Sequence, residues 1–219
     1  MKKKVLMIIG IMILLSSFVM ANKAQALSYQ DLIDLGQYQI GDKLFYNFSY
    51  LSAKISAGDV AVLAIDEPFN PGFKFAAPWV AGPGQSVDSL IQFSVKVLPG
   101  GAKISDVSAQ MSGVGIKPNG TATVAENVYQ GEGTGGLLIA SIYLYANGGL
   151  ELFKKLDITP TDGPITVVKD IAAIGFDGSA SVSSVTNQFS EIPVPEPTAL
   201  LLLGCGLVGL VGLKRKFKK

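Results

Sequence analysis

The sequence predicts an all-β protein, an antiparallel β-sandwich with a short N-terminal helix, flanked by a signal peptide and a C-terminal transmembrane helix. Three observations support this fold class. Short runs of alternating apolar and polar residues fill the middle of the chain, turn-forming residues separate those runs, and an apolar segment without charges lies near each end. The predicted domain boundaries are 1–26 for the signal peptide, 27–192 for the sandwich and 193–219 for the C-terminal segment.

The N-terminal segment has the three parts of a secretory signal peptide. Lys2, Lys3 and Lys4 form its basic start, and residues 5–19 form its apolar centre. Ala24 and Ala26 then supply the small side chains that signal peptidase requires on either side of Gln25. We expect cleavage after Ala26 and export of the rest of the chain.

The helix is predicted at about residues 29–35. Ser28 is followed three residues later by Asp31, a spacing that fits a capping box. Gly36 fits the left-handed residue at which many helices end, because glycine has no Cβ to clash there.

The strands are predicted from a period of two. The clearest pattern is SLIQFSVKV, in which apolar residues occupy every second position from Ile91 to Val97. Similar runs predict strands at residues 43–51, 59–65, 72–80, 104–111, 120–129, 136–146, 164–176 and 179–189. Many short strands separated by Gly, Pro and Asn turns are typical of an antiparallel sandwich.

Charge and composition exclude several functions for the middle of the chain. Residues 27–192 contain nine Lys and 16 Asp or Glu, a net charge of −7, which disfavours nucleic acid as a partner. The chain has no His, and its one Cys is Cys205 in the C-terminal apolar segment. Catalytic triads and His or Cys metal sites are therefore excluded from the domain. We expect no catalytic residues, no metal, no cofactor and no enzymatic activity.

The C-terminal segment predicts a short membrane helix. Residues 198–213 carry no charge, and a helix of these 16 residues is about 24 Å long, somewhat shorter than the ~30 Å hydrocarbon core. The basic residues Lys214, Arg215 and Lys216 follow and should remain in the cytoplasm as a stop. Pro195 and Pro197 hold Glu196 in extended backbone just before the helix.

This order of motif, apolar helix and basic tail resembles the PEP-CTERM sorting signal of Gram-negative bacteria, with residues 194–197 as the motif. The resemblance implies that an exosortase, a membrane-embedded protease or transpeptidase, recognises Pro195, Glu196 and Pro197. It further implies a precursor held in the inner membrane by the C-terminal helix, then processing and delivery to the cell surface or extracellular matrix. Cys205 is not part of the family pattern and is read as a small apolar helix residue.

One carboxylate in the predicted sandwich is a candidate ligand contact. Glu126 shares a strand face with Val124 and Val128, so it is buried if that face is buried. It is either a contact to a ligand or cation, or a strand-end residue held by a lysine or by backbone N–H groups. Residues 157–163 carry several oxygen-bearing side chains, but they depart from a calcium loop and favour a simple turn.

An aromatic cluster allows two interpretations of the domain. Phe69, Phe73, Phe75 and Trp79 lie among prolines, either as a platform on which sugar rings stack or as part of the core. The first hypothesis is an exported surface or matrix structural protein, with core aromatics. The alternative is a carbohydrate-binding module that holds exopolysaccharide, which requires an exposed Trp79. A glycosidase would need a pair of carboxylates, and no motif marks one.

Overall fold

The computed structural model describes residues 27–192, in which one short α-helix follows a two-residue strand and precedes the other strands. The helix α1 spans Tyr29–Leu35, and a single 3-10 turn spans Ala57–Asp59. The strands, numbered in chain order, are β1 (Leu27–Ser28), β2 (Gln37–Ile40), β3 (Lys43–Leu51), β4 (Ala61–Ile65), β5 (Gly72–Ala81), β6 (Ser86–Val97), β7 (Lys103–Ser112), β8 (Gly115–Ile116), β9 (Thr121–Gln130), β10 (Leu138–Ala146), β11 (Leu150–Glu151), β12 (Phe153–Thr161), β13 (Ile165–Ile174), β14 (Ala180–Gln188) and β15 (Glu191–Ile192).

The strands form two antiparallel sheets that face each other. The first sheet, here called sheet A, has the order β1-β4-β5-β14-β7-β12, with β15 paired to β7 and β8 paired to β14. The second, sheet B, has the order β11-β10-β9-β13-β6-β3-β2. This arrangement confirms the predicted antiparallel sandwich with one short N-terminal helix. The predicted signal peptide and transmembrane helix lie outside the described residues.

The local signals for α1 are confirmed. The Ser28 hydroxyl accepts a hydrogen bond from the Asp31 N–H at 3.1 Å, and the Asp31 carboxylate accepts one from the Ser28 N–H at 2.7 Å. Gly36 has φ of +72° and closes the helix by donating to the Leu32 carbonyl at 3.0 Å. The helix packs Tyr29 into the sandwich, where its hydroxyl donates to the Gln92 carbonyl at 2.6 Å.

Every predicted strand run contains a strand, but β12 was not predicted, because it lies at the edge of sheet A. One of its faces is exposed and the other is only partly buried, with Leu156 and Ile158 between Lys154 and Pro160, so the apolar alternation is too short to mark a strand. Pro160 is tolerated there because an edge strand does not need every N–H in a ladder. The turn predicted at residues 157–163 is correspondingly confined to Asp162 and Gly163, and residues up to Thr161 belong to β12.

Aromatic side chains from both sheets meet in the core. Phe45 and Phe93 of sheet B lie with their ring centroids 6.0 Å apart, and Phe73 of sheet A contacts both, at 4.6 Å from Phe45 and 6.0 Å from Phe93. Phe189, just beyond β14, packs against the same pair. Each such aromatic contact contributes about 0.5–1.5 kcal/mol beyond simple burial, so this cluster is a main source of cohesion between the sheets.

Candidate functional site

The aromatic platform predicted at residues 69–79 does not exist as a surface. Phe73, Phe75 and Trp79 are fully buried between the sheets, and Phe69 is the member of the set that reaches solvent, with 59% of its surface exposed. The Trp79 indole donates a hydrogen bond from Nε1 to the Ser89 hydroxyl at 3.0 Å, which satisfies its one polar atom inside the core. The core interpretation is confirmed, and the prediction of Trp79 as a ligand contact is wrong.

Phe69 lies beside a small acidic hollow at the end of the sandwich. Its backbone adopts a left-handed conformation, with φ of +64°, and its carbonyl accepts a hydrogen bond from the Glu191 N–H at 3.0 Å. A left-handed phenylalanine costs about 1–2 kcal/mol, so surrounding contacts must hold the turn in place. The hollow has a volume of about 190 Å³ and is lined by Gly41, Asp42, Asp66, Glu67, Pro68, Phe69, Pro71 and Glu191.

A buried lysine organises the charges under this hollow. The Lys43 ammonium is fully buried and lies 2.6 Å from both Asp42 Oδ1 and Glu191 Oε1. It also donates to the Ala102 carbonyl at 2.8 Å, so each of its three N–H donors has a partner. The cluster joins β3 of sheet B to β15 of sheet A, directly before the C-terminal segment.

The pKa values of the two carboxylates in this cluster are shifted in opposite directions. Burial raises the pKa of Asp42, but hydrogen bonds from Lys43 and from the Ala102 N–H outweigh burial, and the pKa lies below its usual value. Burial also raises the pKa of Glu191, and there the hydrogen bond from Lys43 does not outweigh it, so the pKa lies above its usual value. The shifts differ because Asp42 also accepts a hydrogen bond from the Ala102 N–H, whereas the neighbouring Asp42 carboxylate further raises the pKa of Glu191.

Glu126 lies in the interior of the sandwich and not at a strand end. It is in the middle of β9, directly opposite Lys169 of β13, and the two fully buried side chains form an ion pair. Asn187 of β14 reaches in from the facing sheet and donates from Nδ2 to Glu126 Oε1 at 3.2 Å and to the Ser108 carbonyl at 2.9 Å. The prediction of a lysine partner is confirmed, whereas the prediction of a ligand contact is wrong because no surface of Glu126 is accessible.

Two tyrosines form a stacked pair on the outer face of β10. Tyr143 and Tyr145 point outward from β10 and alternate with the buried residues Ile142, Leu144 and Ala146. Their rings lie 6.1 Å apart at 25° in a stacked arrangement, and Tyr143 is 51% exposed. Aromatic residues two positions apart on the solvent face of a strand are the sequence signal that could have identified this surface.

The remaining predicted residues fall outside the part of the chain that the structure describes. They are Ala24, Ala26, Pro195, Glu196, Pro197, Lys214, Arg215 and Lys216. Between residues 27 and 192 no helix is long and apolar enough to cross a membrane, and no three His, Cys, Asp or Glu side chains are grouped so that they could hold a metal ion.

The C-terminal residues define the class of protein. A model of the PEP-CTERM protein-sorting motif matches residues 193–216, which begin immediately after β15. The chain is thus an exported protein that carries a C-terminal sorting motif on a β-sandwich. It is a PEP-CTERM-containing protein. The motif implies export, membrane anchoring of the precursor and processing by an exosortase.

The comparisons with whole proteins give weaker similarities. No curated protein matches the chain in sequence. The chain is similar to TmCBM61, solved in complex with beta-1,4-galactotriose, at 15% identity and a TM-score of 0.33 over 76% of this chain and 100% of that one. It is similar to TmCBM27, a carbohydrate-binding module with specific mannan recognition, at 10% identity and a TM-score of 0.31 over 77% of this chain and 97% of that one. It is also similar to the family 32 module of C. perfringens NanJ, solved with galactose, at 20% identity and a TM-score of 0.26 over 64% of this chain and 92% of that one. Similarities this low assign no ligand to this chain.

Proposed function

We propose that the chain is a structural protein of the cell surface or extracellular matrix, delivered there by exosortase processing of its C-terminal motif. The observation that supports this most directly is the position of the motif. Residues 193–216 follow β15, whereas the core side chains and the ladders of both sheets lie within residues 27–192. Removal of the tail therefore leaves in place every strand that the structure describes between residues 27 and 192.

The route of delivery follows from the two ends of the sequence. Signal peptidase removes residues 1–26, and residues 198–213 hold the precursor in the inner membrane with Lys214, Arg215 and Lys216 in the cytoplasm. The domain is then on the outer side, where an exosortase reads Pro195, Glu196 and Pro197 in extended backbone. The released domain becomes part of the surface or matrix.

The processing step is tested by Glu196→Ala in the native host. We expect the variant to keep its tail and to stay in the membrane fraction, because the charged member of the recognised tripeptide is gone. Glu151→Ala removes a partly exposed glutamate from the domain surface and should be processed normally. If the Glu196→Ala protein is still released, and its intact mass shows a C-terminus near residue 197, the recognition role is refuted.

We also propose that the domain has no hydrolytic activity on polysaccharides. The carboxylate that the sequence marked as a candidate, Glu126, is sealed in the interior and paired with Lys169. A glycosidase requires two carboxylates that both reach the scissile bond. A polysaccharide turnover that disappears in Glu126→Gln, with the fold intact, would overturn this proposal.

Carbohydrate binding is a second candidate function, and the exposed Tyr143–Tyr145 pair favours it. Sugar rings pack their C–H groups against aromatic faces, and these two rings offer such faces on the outside of sheet B. Co-sedimentation with exopolysaccharide from the host tests it, with Tyr143→Ala expected to lose binding and Phe69→Ala expected to retain it. The reverse pattern would move the site to the acidic hollow, and no binding by the unaltered protein would reject this function.

A further inference from the structure

Three polar side chains meet in the core of the sandwich. Lys169, Glu126 and Asn187 are all fully buried, two from sheet B and one from sheet A. The Lys169 amine contacts Glu126 Oε2, and the Asn187 side-chain nitrogen contacts Glu126 Oε1. One carboxylate therefore bridges an amine and a carboxamide, and brings them together across the gap between the sheets.

This arrangement costs folding free energy as it stands. A buried ion pair is often no more stable than apolar residues of the same size, because both charges lose their water. Asn187 Oδ1 also has no hydrogen-bond partner, which leaves a buried carbonyl oxygen unsatisfied. Apolar side chains could fill the same space without this energetic cost. A chemical role for the three groups would explain why they are polar.

We propose that Lys169 and Asn187 join in an intramolecular amide bond, with Glu126 as the catalytic proton acceptor. The ammonium of Lys169 first gives a proton to Glu126 Oε2. The neutral amine then attacks Asn187 Cγ, and the new bond forms between Nζ and Cγ. The bond between Cγ and Nδ2 breaks, and Nδ2 takes the second proton from the former amine and leaves as ammonia. Glu126 ends as a neutral carboxylic acid, so atoms, protons and charge balance without an oxidant or another reactant.

The positions of the three groups suit each part of this reaction. Glu126 contacts the attacking nitrogen with one oxygen and the leaving nitrogen with the other, as a proton carrier between them must. The Ser108 carbonyl accepts a hydrogen bond from Nδ2 and fixes the orientation of the carboxamide. Full burial keeps bulk water away from the amine and from the intermediate, so hydration and hydrolysis compete less with the reaction. The groups are held by three adjoining strand pairs, β9–β13, β14–β7 and β14–β5, so they are oriented before reaction.

The bond would connect the two sheets covalently. Lys169 lies on β13 of sheet B and Asn187 lies on β14 of sheet A. A cross-link between them closes a loop through the β13–β14 connection and restricts the unfolded chain, as a disulfide does. Residues 27–192 contain no cysteine, so no disulfide can do this. The bond lies within the domain and does not depend on how the tail is processed.

Peptide mapping of the protein purified from its host tests the proposal. Trypsin cleaves after free lysine, so the unlinked chain yields one peptide that ends at Lys169 and another that begins at Asp170. In the linked chain Lys169 is acylated and resists cleavage. We expect a single peptide that begins at Leu156 and contains both Lys169 and Asn187, lighter than its sequence by one ammonia. In tandem mass spectrometry, a single backbone cleavage between Lys169 and Asn187 should release no fragment, because the cross-link still holds the two parts together.

The same map separates the bond from its alternatives. A succinimide formed at Asn187 alone also loses ammonia, but it leaves the site after Lys169 cleavable, and that result would overturn the proposal. An unmodified mass with normal cleavage after Lys169 would overturn it as well. Neither outcome depends on a variant that has to fold.

Three variants then assign the roles. Asn187→Ala keeps the Glu126–Lys169 ion pair but removes the acceptor, and should restore both the unmodified mass and cleavage after Lys169. Asn187→Asp should still link, with loss of one water in place of ammonia. Glu126→Gln should stay unlinked while the exposed-surface control Glu151→Gln links fully. Full linkage in a folded Glu126→Gln protein would refute the role of Glu126, and ammonia loss that persists in Asn187→Ala would refute the bond.

Discussion

The Lys43 ammonium lies 2.6 Å from the Glu191 carboxylate, and this contact joins the two sheets at the last strand before the sorting motif. Lys43 is on β3 of sheet B, and Glu191 is on β15, which pairs with β7 of sheet A. Both side chains are removed from solvent. The end of the domain is thereby attached to the body of the sandwich, immediately before the residues that match the sorting motif.

Replacement of Lys43 should be strongly destabilising. Lys43→Met leaves Glu191 and Asp42 without their cation, and loss of one member of a buried pair typically costs about 3–5 kcal/mol. Because Asp42 is partly exposed, we expect the lower end of that range, about 3 kcal/mol, in urea unfolding followed by tryptophan fluorescence. Lys117→Met, at an exposed position, should change the free energy of unfolding by less than about 0.5 kcal/mol. Equal effects of the two substitutions would contradict the assigned role.

The single tryptophan should report the state of the core. Trp79 is fully buried and hydrogen-bonded to Ser89, so its emission should be blue-shifted in the folded protein and insensitive to acrylamide or iodide. Unfolding should shift the emission to the red and restore quenching. Saturating exopolysaccharide should leave the spectrum unchanged, because sugars cannot reach the indole. Strong quenching in native buffer would show that Trp79 is exposed.

Alkaline pH should weaken the contact between Tyr46 and Glu132. The Tyr46 hydroxyl donates to Glu132 Oε1 at 2.9 Å, and burial together with this neighbouring carboxylate raises the pKa of Tyr46 to about 12. The unfolded chain has a tyrosine pKa near 10, so the contribution of this contact to stability is complete below about pH 10 and is lost as the pH rises from about 10 to 12.

Thermal melts between pH 9 and 12 measure this loss of stability, which should begin near the ordinary tyrosine pKa of about 10. Glu132→Gln keeps an acceptor but removes the charge, so the pKa of Tyr46 should fall towards its ordinary value in an ultraviolet titration. The stability of Glu132→Gln should then decline less steeply over this pH range than that of the unaltered protein. Identical slopes would mean that the carboxylate does not perturb Tyr46.

Gly72 should not tolerate a side chain. A Cβ at this position would collide with the backbone carbonyl of Asn187 in the neighbouring strand, and backbone cannot move aside as a flexible side chain can. Gly72→Ala should therefore cost about 1–3 kcal/mol and disturb the β5–β14 pairing next to Asn187. Gly135→Ala has open space around the new methyl group and should be neutral within about 0.5 kcal/mol. Circular dichroism melts of the two variants compare them directly.

Some elements were predictable because short-range interactions specify them. The capping box of α1 needs only Ser28 and Asp31, which are three residues apart, and the residue in the left-handed conformation after it is a glycine. Strands such as β3 and β6 were predictable because one face is dry and the other wet, which imposes a period of two on the sequence. β12 was missed because only Leu156 and Ile158 are apolar on its partly buried face, and two apolar positions are too few to show a period of two.

The sequence by itself determined the all-β character of the domain, the C-terminal sorting motif and the acidic, cysteine-free middle, because composition, periodicity and local spacing carry that information. Only the tertiary structure decided which apolar and polar groups share a neighbourhood. Trp79 was compatible with core or surface until the facing sheet was placed over it. Glu126 meets Lys169 and Asn187 through the pairing of β9 with β13 and the packing of β14 across the core. Strand register and sheet packing join residues far apart in the chain, and a side-chain pattern read along one strand contains no record of its partners.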